Sequence, residues 1–420
     1  MDGLADARIA GLFEGEVLEG EIDVRTLLGE VGAERSGGGL ARAIDLALSG
    51  GPATIDLVSA HGTATAQNDE AEAATLALVR SRTGDAPVFS FKGTIGHALG
   101  AAGVLEMAAA MDAMARGVVP GSHGEGPAIE GVNVRDEAAL GDVHSVLKIS
   151  SAFGGANAAL VLTDTASRAR SERASDVGEV FLSAAVRVES GVDTEPTSLS
   201  LQAGYPADRL ARADELVRLA VAAVAKLAPA CGSLAGAGVI AGHGLATIET
   251  NAKFLARIVS SGVSRAEPRR FAYTTPNAPA GECAVAFGLT GPTFAVGGGP
   301  CGGIEAIDVA AELVRAGAAR QLVVVAVDEA GEASARLAPG TKSGAIAVLV
   351  HDGSRPELRA ARLVASTTRH GDEASGRELS AMHAWGALEP LLAPKASGAS
   401  EIIEATSPWG GFAKMAVIWL

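Results

Sequence analysis

The chain has 420 residues, 48% of them hydrophobic and 20% charged, enough apolar material for one large core or two smaller ones, and disorder is not expected. A formal charge of -15 argues against nucleic acid, because a phosphate-binding surface needs an excess of Lys and Arg. Cys231, Cys283 and Cys301 are widely spaced and show no disulfide framework and no Cys/His metal spacing. No segment reaches the ~20 apolar residues of a membrane span, and the start, Met1 to Asp6, has no basic region followed by an apolar run, so the cytoplasm is the expected compartment.

In chain order, Ile55-Asp56-Leu57-Val58 reads as a buried strand that delivers His61 to its C-terminal end, the edge where open α/β sheets place ligands. His61 stands in Ala60-His61-Gly62-Thr63-Ala64-Thr65, and the polar Asn68, Asp69 and Glu70 that follow suit a helix cap. His97 closes Lys92-Gly93-Thr94-Ile95-Gly96-His97, ahead of a helical run from Ala98 to Ala115. Ala158 to Leu162 is a closing strand, and residues 167–178 are polar and charged without apolar periodicity, a linker.

Beyond the linker, Phe181 to Val186 reads as a strand, and Ala207 to Lys226 as one amphipathic helix. Gly238 to His243 is a strand ending in a glycine turn. The glycine-rich Val296-Gly297-Gly298-Gly299-Pro300-Cys301-Gly302-Gly303 then flows into a helix to about Ala316 and a strand from Leu322 to Val327. Strand, glycine turn and helix in that order make a nucleophile elbow or an anion-binding turn. The turn is no phosphate loop, since Gly-x-x-x-x-Gly-Lys-Ser/Thr is absent; no cofactor is expected. Arg265, Arg269 and Arg270 form a local basic cluster, which reads either as a solvated loop or as a patch for an acidic partner.

Two histidines at the ends of two apolar strands, each beside glycines that let a ligand approach the backbone, can donate paired hydrogen bonds to one developing negative oxygen. The two histidine signatures, together with Ser150-Ser151-Ala152-Phe153-Gly154-Gly155-Ala156-Asn157, resemble the C-terminal half of a β-ketoacyl-acyl carrier protein synthase, a ketosynthase of the thiolase-like superfamily. Residues 180–350 are similar to the N-terminal half of the same family. The resemblance implies an α/β fold of thiolase-like layered αβα architecture, with the halves in an unusual order, C-terminal type first.

By the same resemblance His61 and His97 would donate to a malonyl thioester oxygen as carbon dioxide leaves, with Lys92 beside His97 and acting through Glu106. Phe153 would gate the acyl channel; its alternative is a core aromatic on a glycine turn. Cys301 opens a helix and would be the acyl acceptor. An ungapped alignment through Gly291-Pro292, however, puts Pro300 where the family has its nucleophile, which favours Cys301 as a buried structural thiol and keeps the nucleophile as the alternative. That segment resembles chain-length factors, the silent partners of polyketide ketosynthases.

An internal echo relates the units. Ser407 to Ile418 repeats Ser151 to Leu162, and His383 to Glu389 repeats His97 to Glu106 with three residues lost. Two such copies favour a fusion over a circular permutation. The expected organisation is therefore a ketosynthase C-terminal-type half at 1–166, the linker, an N-terminal-type half at 179–355 and an abbreviated second C-terminal-type half at 356–420. The resemblance implies a β-ketoacyl-acyl carrier protein synthase-like acyltransferase that performs decarboxylative condensation in fatty acid or polyketide biosynthesis. The alternative is a non-catalytic chain-length-factor-like partner. Either would meet an acyl carrier protein and pair as a ketosynthase-type homo- or heterodimer. A thiolase is the weaker reading, because no second cysteine follows Cys301.

Overall fold

Two large sheets and one two-stranded sheet organise the described residues, and the linker predicted at 167–178 lies between the two large ones in sequence. A computed structural model describes residues 23–28, 38–49, 52–124, 129–152, 157–164, 178–369, 381–393, 395–408 and 411–420. Phe153 and all of the linker but Gly178 lie outside the described residues.

The first unit runs β1 (Asp23–Leu28), α1 (Gly38–Leu48), β2 (Leu57–Ser59), α2 (Ala66–Leu78), α3 (Arg80–Thr83), β3 (Val88–Phe89), α4 (Lys92–Ile95), α5 (Ala102–Arg116), β4 (Val118–Val119), β5 (Ala139–Leu140), β6 (Ser145–Ser151) and β7 (Asn157–Thr163). Its five-stranded sheet has the order β1-β7-β6-β2-β3. β2 is parallel to both β3 and β6, and β7 is antiparallel to β6 and β1. Side chains alternate across a strand, so β6 sends Leu147 and Ile149 to the face covered by Leu40, Ile44 and Leu48 of α1, and Val146 to the face covered by Ala110 and Ala113 of α5. Helix, sheet and helix form the layers.

The second unit begins β8 (Val180–Leu182), β9 (Val186–Val188), α6 (Pro196–Ala203), α7 (Ala207–Arg212), α8 (Glu215–Cys231), β10 (Gly238–His243), α9 (Ile248–Ser261), α10 (Pro268–Phe271), α11 (Ala278–Phe287) and β11 (Thr293–Gly297). It continues with α12 (Gly302–Arg315), β12 (Gln321–Asp328), α13 (Glu332–Leu337), β13 (Gly344–His351), β14 (Ala361–Arg369), β15 (Ser400–Thr406) and β16 (Phe412–Trp419). The sheet order is β11-β10-β12-β13-β8-β14-β16-β15, with β9 also on β13. β12 is apolar on both sides: Val323, Val325 and Val327 face the layer of α8 and α11, while Leu322, Val324 and Ala326 face α12. Strands from 179–355 and from 356–420 thus share one sheet, because β8 pairs β13 on one side and β14 on the other.

Two elements differ from the sequence expectation. The helix expected over 207–226 is two helices, broken where Ala213 and Asp214 are extended and Asp214 accepts the Thr250 hydroxyl at 2.7 Å. The strand expected over 181–186 is interrupted at Ser183, whose Oγ takes the Leu349 N–H at 3.0 Å. Ser183 N–H still donates to Leu349 O at 2.9 Å, so a side-chain oxygen has taken the place of one of the two ladder bonds there.

The segment 381–393 is stitched onto the turn that follows β10. Asp328, fully buried at the end of β12, accepts Gly244 N–H at 2.8 Å and Leu245 N–H at 3.0 Å on Oδ1, and Ala384 N–H at 2.7 Å on Oδ2. Burial pushes this carboxyl up to about 7 against the pull of those three amides. Gly244 is required here: a Cβ would lie 1.3 Å from the Met382 carbonyl oxygen.

Candidate active site

His61 follows β2 and His97 follows β3, so two neighbouring parallel strands bring both imidazoles to one end of the first sheet. Their ring centroids are 6.0 Å apart, edge to face at 84°. His61 is half-buried and His97 exposed. The turn after β2 is tight: Gly62 has φ +51°, and its missing Cβ leaves room for Ser90, whose Oγ donates to Gly62 O at 3.0 Å. Ala64 and Leu99 also adopt left-handed φ, +54° and +50°, each within three residues of a histidine. Such strain costs of order 1–3 kcal/mol and concentrates at functional sites.

Glu72, buried on α2, fixes the His61 backbone by accepting His61 N–H at 2.7 Å and Gly62 N–H at 2.8 Å. Asn68 donates to the same carboxylate at 2.6 Å, so it braces Glu72, and Thr65 is the residue that caps α2. From the other side, Lys92 Nζ donates to His61 O and pairs with Glu106 Oε1, and Lys148 Nζ lies 2.7 Å from Glu106 Oε2. All three charged side chains are buried.

This environment makes both imidazoles neutral. Burial pushes His61 down to about 3, helped by Lys92, Lys148 and His97. His97 is lowered by burial and by Lys92, with Glu106 opposing. The His97 tautomer follows from geometry: Leu99 N–H donates to its Nδ1 at 3.1 Å, so that nitrogen carries no proton and Nε2 is the donor. Two neutral rings can present N–H groups to an oxyanion without a proton being exchanged first.

The elbow of the second unit is built differently. Cys301 is the cap residue of α12, but its side chain is buried in the core with Ile304, Ile307 and Trp385. Its Sγ donates to Ala405 O at 3.5 Å, and burial plus nearby Glu305 push the thiol up to about 11. Pro300 precedes it and brings no N–H. The sequence echo at His383 does not rebuild a histidine pair among the described residues: His383 stacks on Trp385 at 4.6 Å, and Arg187 lies over the other ring at 4.7 Å from its centroid. In the basic cluster, Glu267 pairs with Arg270 at 3.4 Å and with Arg257 at 3.0 Å, which offsets part of its charge.

The geometry thus joins His61, His97, Lys92 and Glu106, and leaves Cys301 in a separate apolar core. Lys148 and Glu72 were not singled out from the sequence. Glu72 had one available signal, its place four residues after Asn68 on the same helix face.

Comparison with known proteins agrees with this division. A family model for the β-ketoacyl synthase C-terminal domain matches residues 30–124, and one for the β-ketoacyl synthase N-terminal domain matches residues 192–339, together more than half of the chain and in that order. A polyketide β-ketoacyl synthase 1 of Streptomyces cyaneus is 39% identical over 138 residues, 31% of this chain and 33% of that protein. The tetracenomycin ketoacyl synthase alpha subunit of Streptomyces glaucescens is 39% identical over 140 residues, 31% of this chain and 32% of that protein. The chain therefore spans about a third of the length of the curated relatives it matches. Among solved structures, PfaC keto synthase-chain length factor superposes with a TM-score of 0.69 over 94% of this chain and 61% of that one, at 14% identity, which establishes the shared fold. The expected thiolase-like α/β architecture and the inverted order of halves are both borne out, and the chain belongs to the β-ketoacyl synthase family.

Proposed function

We propose that the first unit stabilises the enolate of a decarboxylative condensation between malonyl and acyl thioesters in fatty acid or polyketide assembly. The pair of neutral imidazoles facing each other at 6.0 Å, with the His97 Nε2–H tautomer held by Leu99, carries this reading. As the malonyl carboxylate leaves as carbon dioxide, the electron pair of the broken C–C bond moves onto the thioester oxygen. His61 and His97 then donate to that oxygen, and the nucleophilic carbon is freed for attack. Lys92 and Glu106 are positioning groups in this scheme. Phe153 is assigned the channel-gating role its motif implies.

The second unit is read as chain-length-factor-like. What supports this is the buried Cys301, a thiol at neutral pH, together with Pro300 before it. In our reading the acyl-accepting cysteine belongs to a ketosynthase-type partner in a homo- or heterodimer, and both acyl groups arrive on an acyl carrier protein.

Incubation with radiolabelled malonyl-carrier thioester and, separately, with labelled acyl-carrier thioester tests this. Carbon dioxide release without stable acylation of the chain is expected, and Cys301→Ala should change neither result. Label on the chain that disappears with Cys301→Ala would make that residue the nucleophile and overturn the assignment.

The pH dependence has a fixed sign. Both histidines act as neutral donors and both are held below the ordinary imidazole value, so the acid limb of decarboxylation should lie below 6.5, with the His61 contribution reached only near 3. An acid limb centred near 6.5 would contradict the scheme. The same shift acts on folding: the unfolded chain takes up the His61 proton near 6.5 and the folded chain only near 3, so its contribution to stability is lost as pH falls through that window.

A further inference from the structure

The carboxylate of Glu106 is gripped twice. Lys92 of α4 meets Oε1 and Lys148 of β6 lies 2.7 Å from Oε2, with all three side chains 6% exposed or less. Each lysine also reaches the main chain that ends β2: Lys92 Nζ donates to His61 O, and Lys148 Nζ to Ala60 O at 3.4 Å, besides its bond to Ile149 O. One lysine would neutralise Glu106. The second faces Glu72 as well, the other buried carboxylate near it, so two cations and two carboxylates are held together in a dry environment around one strand end. The strand end that Lys148 holds is the one that presents His61.

We infer that Lys148 is a positioning residue for His61: with Lys92 it ties the successive carbonyls of Ala60 and His61 to the Glu106 carboxylate and so fixes the imidazole at the strand end. The groups that act on this ring come from every neighbouring element: Lys92 from α4, Lys148 from β6, His97 after α4 and, through the lysines, Glu106 from α5, while Glu72 of α2 holds its backbone N–H. Both lysines and His97 oppose a proton on His61.

The inference deepens the proposed function and rests on it only for its kinetic readout. On the full chain, Lys148→Met is expected to lower kcat for malonyl-carrier decarboxylation by about tenfold or more, with KM within about twofold. In a His61→Ala background the same change should cost less than about twofold, because the ring it positions is gone. Equal losses in both backgrounds, or no loss in either, would overturn the inference. A second readout is independent of activity. With ring-labelled histidine, Lys148→Met should move the His61 resonances and start their acid titration at higher pH, leave those of His351 in place, and Lys148→Arg should restore the parent pattern. A parent without decarboxylation would refute the proposed function, and the spectra would still decide this inference: unchanged His61 resonances in Lys148→Met would refute it.

Discussion

Replacing His61 by alanine is expected to slow malonyl-thioester decarboxylation by ~10²-fold or more, and His97→Ala should do the same. Each ring supplies one N–H to an oxygen that becomes fully negative only as carbon dioxide departs, so the loss belongs in kcat and not in substrate binding. The neutral state of both rings is essential to that argument. His97 cannot be a cation while Leu99 N–H points at its Nδ1, and His61 is kept neutral by burial and by two lysines. Asparagine or glutamine at either position should recover part of the rate, because an amide also offers an N–H. Activity indifferent to both alanine variants would remove the enolate reading altogether.

The largest effect on folding is expected at Glu106. Glu106→Gln removes the one carboxylate that Lys92 and Lys148 share and leaves two buried ammonium groups with only Glu72, which bears on Lys148, as a remaining counter-charge. Breaking a buried pair in this way typically costs about 3–5 kcal/mol, measured here as a fall in the urea midpoint of the first unit's transition. Adding Lys148→Met to Glu106→Gln should return part of the loss, since one of the stranded cations is then removed. A single-variant cost below about 1 kcal/mol would mean either that the lysines are solvated, contrary to their burial, or that burial, which lowers Lys148, leaves that side chain uncharged.

The histidine pair was legible in sequence because each signature is local: a strand, a histidine and a glycine turn lie within a few residues of one another. Lys148 was not, because it stands in a run of apolar strand residues, and only the pairing of β6 with β2, some 90 positions earlier, sets it beside Ala60. Cys301 shows the same limit from the other side. Its elbow can be read from neighbouring glycines and Pro300, whereas its burial depends on β15, which supplies the Ala405 carbonyl 104 residues away. The splits at Asp214 and Ser183 likewise come from partners distant in sequence, Thr250 and Leu349, that compete for local backbone geometry. The layered αβα architecture was legible through the family resemblance, whereas strand order and the joining of 179–355 and 356–420 in one sheet were not, because both depend on pairings between distant segments.

That joining has a consequence for how such a tail can evolve. β8 is only three residues long, yet it is zipped on both flanks, to β13 and to β14. A chain severed between 355 and 356 would strand β14 without the neighbour on which it was templated and would lay bare one flank of β8. Natural recombination could therefore graft a foreign tail here only by matching it to that short strand, which acts as the shared seam of the two halves.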